Sequence, residues 1–165
     1  MFKEITPKEI DTNLIKAISE EWMLISAGDS NSYNMMTASW GFAGEMWGND
    51  SVIAMIRPQR YTMEFVEKND YFTLSFYGDN KAIHNVCGSK SGRDVNKTEL
   101  TGLTPVFESD TVYFEEAKLV LVCKKQYVDL LKEECFVDKT PLKWYDNKDY
   151  HYMIIGKIEK VLVKG

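Results

Sequence analysis

Two arginines, Arg57 and Arg60, stand in the stretch "RPQRYT", directly after the apolar run "VIAMI" (Val52 to Ile56) and directly before "MEFVEK", which has helical character. Pro58 removes one backbone donor and biases Arg57 toward extended backbone just past a strand end. Thr62 is suited to cap the helix that follows, so free N–H groups and the positive end of a helix dipole would lie near both guanidinium groups. Two cations, a hydroxyl and a helix terminus together suit a phosphate. The plainer alternative leaves both arginines solvated or paired with Glu64 and Glu67.

A second stretch, "NMMTASW" (Asn34 to Trp40), alternates small polar residues with larger ones. Small side chains let a flat ligand approach the backbone, whose N–H and C=O groups can read the edge of a heterocycle. The same pattern also describes an edge strand with methionines in the core, and tryptophans such as Trp40 and Trp47 more often pack than serve as stacking platforms. A third stretch, "GSKSGRDVNK", gathers Ser89, Lys90, Ser91, Arg93 and Lys97 around two glycines, a composition fit for an anion-binding concavity of backbone amides or for an exposed basic turn. Its spacing is neither that of a P-loop nor that of a dinucleotide fingerprint.

No set of nucleophile, base and orienting group can be assembled, so no catalytic side chain is expected. Cys87 falls at the end of a helix-like segment, where the dipole does not lower a thiol pKa. His84 and His151 are far apart and no acidic motif joins them, so a metal is not expected. Cys87, Cys123 and Cys135 are odd in number with no CxxC pair, which points to reduced thiols.

The elements that must position these residues follow from pattern. The 165 residues, 44% hydrophobic and 13% aromatic, suffice for one core. A net charge of −5 disfavours an extended nucleic-acid footprint. The apolar runs are strand-sized, so neither an anchor nor a signal is expected and the protein is read as cytoplasmic. Thr6, Pro7 and Glu9 form a capping box for a short helix. Trp22 to Gly28 and the segment through Trp40 read as a hairpin, and Gly41, Gly44 and Gly48 read as a loop between Trp40 and the strand Val52 to Ile56. A helix to about Lys68, a strand in "YFTLSFY", a helix from Asn80 to Cys87 ended by a left-handed Gly88, and a short helix near Lys97 to Thr101 come next. Two longer strands, Ala117 to Tyr127 and Tyr150 to Val163, follow, with a bulge at Gly156. An antiparallel barrel with helical excursions fits this order.

Taken in sequence, "NMMTASWG", "RPQRYT", "CGSKSGRDVNK", "TGLTPV" and "YHYMIIGKI" resemble the flavin reductase-like family of FMN-binding split barrels, flavoredoxins among them, over nearly the whole chain. The resemblance implies a single domain over residues 1–165, mainly β, built as a six-stranded antiparallel Greek-key split barrel with short flanking α-helices. It further implies a homodimer with one FMN per subunit near the interface. Asn34 and the backbone of Met36, Thr37, Ala38 and Ser39 would lie along the isoalloxazine, with Trp40 closing one side. Arg57, Gln59, Arg60, Tyr61 and Thr62 would hold the phosphate and ribityl chain, and Gly88, Ser89, Ser91 and Lys97 would complete the contacts. Two departures from the family pattern stand out: Phe42 replaces a frequent glycine and would narrow the ring pocket, and Asn96 replaces a frequent aspartate and would loosen the pairing of Lys97. The implied function is an FMN-dependent oxidoreductase using NADH or NADPH, or a flavoredoxin-like electron carrier reduced by a protein partner, for which the acidic balance suits a basic docking face.

Overall fold

Met23–Gly28 and Tyr71–Phe76 are buried on both faces: Met23, Ile25, Phe72, Leu74 and Phe76 enter one core, Leu24 another, and Ser26, Thr73 and Ser75 are buried polar residues between them. A computed structural model describes all residues 1–165. Its strands are β1 (Phe2–Ile5), β2 (Met23–Gly28), β3 (Tyr33–Ala38), β4 (Gly41–Met46), β5 (Asn49–Ile56), β6 (Tyr71–Phe76), β7 (Pro105–Glu108), β8 (Thr111–Phe114), β9 (Leu119–Leu130) and β10 (Tyr152–Lys164). Helix α1 (Leu14–Lys16) runs on into a π-helical turn, Ala17–Glu21. It is followed by α2 (Tyr61–Lys68), α3 (Lys81–Ser89) and α4 (Lys97–Thr101).

The main sheet has the order β3-β2-β6-β9-β10-β5-β4, with β1 added to β10, and all its pairings are antiparallel. Seven strands therefore lie on the path where six were expected. The two end strands, β3 and β4, are consecutive in the chain through Ser39 and Trp40 but share no ladder. The barrel is split at that point, and the outer edge of β3 is left free.

One face of the sheet carries Ile25, Leu74, Leu121 and Ile154 against Met63 and Val66 of α2. The other carries Leu24, Val120 and Val122 against Ile83 and Cys87 of α3 and Val112 and Phe114 of β8. Helices α2 and α3 thus flank the β2–β3 hairpin from its two sides. No helix is long and apolar enough to cross a membrane.

Several local expectations need correction. The segment from Gly41 to Gly48 is not a loop: β4 pairs in register with β5, and Trp47 and Gly48 form the turn with φ of 54° and 75°. Most of β4 is solvent-exposed, so it lacks the alternation by which strands are recognised. Gly88 does not end α3 in the left-handed region; the helix continues through Ser89, and Lys90 N–H closes it on Val86 O at 3.1 Å. The capping box at Thr6 forms, Glu9 Oε2 taking the Thr6 N–H at 2.7 Å, and the turn it starts is a 3₁₀ helix, Pro7–Glu9.

The register of β10 against β9 shifts between Ile155 and Gly156, where the bulge is expected. A Cβ on Gly156 would stand 2.6 Å from Phe72 Cζ and 3.1 Å from Cys123 Cβ. Gly156→Ala is therefore expected to destabilise the protein by about 1–3 kcal/mol through overpacking, measured as a lower urea midpoint at unchanged slope; an unchanged midpoint would show that Phe72 yields freely.

Candidate functional site

The free edge of β3 faces the ends of three other elements: the last residues of β5, the turn Arg57 to Arg60, and the start of β10. Two adjoining pockets lie there and share Arg60. The first, about 200 Å³, is walled by Met36, Thr37, Ala38, Ser39 and Trp40 on one side and by Arg57 and Arg60 on the other. Asn34, Gln59, Tyr61, Thr62, Gly88, Ser89, Ser91 and Lys97 line the second, about 160 Å³. Every residue singled out in the sequence as a contact thus borders one of the two. Lys90 and Gly92, from the stretch read as an anion-binding concavity, line the second as well, and Met55 and His151, which no sequence signal marked as contacts, line the first.

The two arginines of "RPQRYT" have different fates, and neither pairs with Glu64 or Glu67. Arg57 Nη1 lies 2.8 Å from Asp149 Oδ2, Arg57 Nη2 donates to Trp144 O at 2.9 Å, and the guanidinium sits 5.1 Å from the Tyr145 ring centroid. Gln59 donates to the same Asp149 oxygen at 2.7 Å. The Gln59 amide first, with Arg57 behind it, holds the Asp149 carboxyl below the usual carboxylate range. Arg57 is therefore a neutralised structural charge tied to the excursion between β9 and β10.

Arg60 has no acidic partner. Its Nη1 donates to Gly88 O at 3.2 Å and its Nη2 to Cys87 O at 3.3 Å. Lys97, 4% exposed, donates from Nζ to Cys87 O at 3.1 Å and to Met35 O at 2.7 Å, again without a carboxylate. Burial pulls the Lys97 ammonium down to about 8 and pushes the Cys87 thiol up to about 11, so Cys87 is a neutral neighbour. The two cations gather on the C-terminal carbonyls of α3, whose dipole offsets roughly half a charge. A net positive field remains in the second pocket.

Helix α2 adds to that field from the opposite side. Its N-cap is Arg60, not Thr62, because the Arg60 N–H closes a turn on Arg57 O at 3.1 Å and the helix begins at Tyr61. No side chain caps it, so its positive end opens on the pocket. Thr62 is buried and its hydroxyl accepts from Asn34 Nδ2 at 2.9 Å, tying α2 to β3. Gly92 passes so close to Asn34 that a Cβ would lie 2.1 Å from Asn34 Oδ1. The loop around it is clipped down by Arg93, which pairs with Glu64 and lies 4.5 Å from the Tyr61 ring centroid.

The two departures from the family pattern act elsewhere than expected. Asn96 does not pair with Lys97; it caps α4, accepting from Thr98 N at 3.1 Å and Glu99 N at 3.3 Å. Phe42, 65% exposed on β4, does not narrow the first pocket; it lines an apolar groove of about 730 Å³ on the far side of Trp40, together with Ile18, Phe136 and Trp144.

In the first pocket Trp40 is half-exposed and meets His151 at 5.0 Å, their planes tilted by 45°. His151 Nδ1 and Tyr145 Oη are 2.8 Å apart. Burial, then the nearby Arg57 charge, lowers His151 to about 4, so it is neutral around pH 7. The pocket therefore joins a strand edge, an aromatic wall and a neutral imidazole, and it adjoins a pocket whose two unpaired cations, Arg60 and Lys97, suit an anion.

Comparison with solved structures finds the same fold in flavoredoxin from Methanosarcina acetivorans (TM-score 0.69, 18% identity, covering 87% of this chain and 68% of that one). Flavoredoxin of Desulfovibrio vulgaris (Miyazaki F) gives a TM-score of 0.67 at 22% identity over 87% of this chain and 69% of that one. An FMN-binding domain of a flavin reductases-like enzyme from Shewanella baltica OS155 gives 0.69 at 15% identity over 99% and 77%. At these identities the likeness is one of fold. No curated protein sequence matches. The family model described as flavin reductase like domain matches residues 15–165, and the chain belongs to that family.

Proposed function

We propose that the two pockets hold one FMN, with its phosphate in the second and its ring along the free edge of β3, and that the protein is an FMN-dependent oxidoreductase that accepts a hydride from NADH or NADPH. The observation that carries this reading is the convergence of Arg60 and Lys97, two cations without an acidic partner, on a small pocket at the open end of α2. A phosphate dianion matches that charge. The small residues Ala38 and Ser39 beside unpaired strand edge suit the rim of a flat heterocycle. The flavin, when bound, supplies hydride acceptance and electron delivery. The chain's own residues bind and orient it: Arg60 and Lys97 anchor one end, the β3 peptides read the ring edge, and Trp40 with His151 shields the ring from water.

A second reading, an electron carrier reduced by a protein partner, is favoured by the likeness to two flavoredoxins and by the net charge of −5. In either case the groove beside Trp40, with Phe42 and Trp144 exposed on it, is the surface we assign to a second copy of the chain in a homodimer. Anaerobic titration separates the two: loss of the flavin absorption band with NADH or NADPH is expected. A band indifferent to both but bleached by a reduced ferredoxin would establish the carrier.

The charge assignment makes its own predictions. Arg60→Ala is expected to weaken FMN binding by about 1.5–3 kcal/mol, roughly 10- to 150-fold, with little change for riboflavin, which lacks the phosphate. Arg57→Ala should weaken both flavins alike. Fluorescence titration distinguishes these outcomes, and equal losses for FMN and riboflavin in Arg60→Ala would move the phosphate elsewhere.

Lys97 makes that affinity depend on pH. Its folded-state pKa of about 8 lies below the ordinary value, so its charge is present below pH 8 and is lost above it. FMN affinity is expected to be level below pH 8 and to fall by up to about tenfold per unit above it, with riboflavin flat. The flavin-free protein should show the opposite slope from pH 8 to 9, because there the unfolded chain holds the Lys97 proton more firmly and stability rises. Above pH 9 the raised Cys87 pKa opposes that gain.

A further inference from the structure

Behind the wall formed by β3, helix α3 carries a histidine that faces neither pocket. His84 is 1% exposed. Its Nδ1 lies 3.1 Å from Thr37 Oγ1, and the same hydroxyl oxygen lies 3.1 Å from the His84 carbonyl oxygen. A hydroxyl has one proton to give. Given to the carbonyl, it leaves Oγ1 as the acceptor, so Nδ1 must carry the imidazole proton. Given to Nδ1, it would leave two oxygens facing each other with no hydrogen between them. The arrangement therefore fixes the Nδ1–H tautomer and leaves Nε2 as a bare acceptor.

That acceptor is buried and has no partner. The Trp22 and Tyr77 rings meet the imidazole near perpendicular, each at 6.0 Å. Trp22 itself has φ 73° and ψ 167°, a region populated almost only by glycine. Lys81 Nζ lies 3.6 Å from the Trp22 ring centroid, and its ammonium donates to Glu20 O. A strained tryptophan and an unpaired ring nitrogen are each locally unfavourable, and both lie at His84, the residue bonded to Thr37. Thr37 belongs to the strand whose free edge walls the first pocket.

We infer that His84, as the Nδ1–H tautomer, is a positioning residue: by bonding Thr37 Oγ1 it fixes the peptides from Met36 to Ser39 that form the ring-side wall. The consequence for flavin rests on the function proposed above; the claim about the β3 wall does not.

Asparagine and glutamine separate the two ring nitrogens, since the Asn amide nitrogen falls near Nδ1 and the Gln amide nitrogen near Nε2. In the flavin-free protein, amide hydrogen exchange at Thr37, Ala38 and Ser39 is expected to quicken in His84→Gln and to stay near wild type in His84→Asn. With FMN, His84→Gln and Thr37→Val should each weaken binding by about tenfold and shift the midpoint potential, while His84→Asn restores both. The double variant His84→Gln with Thr37→Val should be no worse than Thr37→Val alone. Equal exchange in the Asn and Gln variants, or a fall in Tm in both with affinity and potential unchanged, would overturn the inference and leave His84 a packing residue. Should the wild-type protein bind no FMN, the flavin reading fails and the exchange comparison alone decides the role of His84.

Discussion

The whole site depends on one strand edge left open. In the barrel path, β3 has a partner on one side only, because the chain turns from β3 into β4 without closing the ladder. An unpaired edge invites pairing with another chain, and here it is guarded by side chains. Lys97 caps the Met35 carbonyl, Asn34 ties the strand to Thr62 of α2, and His84 holds Thr37 from α3. Beyond these ties lies the short run from Ala38 to Trp40 that joins the two end strands, and the first pocket opens beside it.

Charge is distributed so that only one end of this run is positive. Arg57 is cancelled by Asp149 and Arg93 by Glu64, whereas Arg60 and Lys97 rest on carbonyls of α3. Carbonyls orient a cation without neutralising it, which keeps the field available to an incoming anion. Depositing two cations on a helix C-terminus also satisfies that helix, so the same contacts serve stability and binding.

How much of this was legible in the sequence varied with the range of the interaction. The stretch "RPQRYT" announced a strand end, a turn and a helix start, and all three are local. Its helix cap was misplaced by two residues because Thr62 has the better capping side chain, but its hydroxyl is taken by Asn34, 28 positions away. The partner of Arg57 was beyond reach, since Asp149 lies 92 residues downstream in a segment with no periodicity. Gly88 looked like a helix terminator because glycine usually serves that purpose, yet the helix runs on through Ser89, where α3 packs against β3. β4 was missed because an exposed strand lacks the one pattern that identifies strands. The family resemblance compensated for these gaps by supplying order across the chain, which local pattern cannot.

The excursion between β9 and β10 gives the site a division of labour. Trp144, Tyr145, Asp149 and His151 all come from this single stretch, and they reach Arg57 and the first pocket, while none of them lines the second. An insertion or exchange of residues there would reshape the first pocket while leaving Arg60 and Lys97 in place on the carbonyls of α3. A scaffold of this kind can change what one pocket admits through a single loop without disturbing the other.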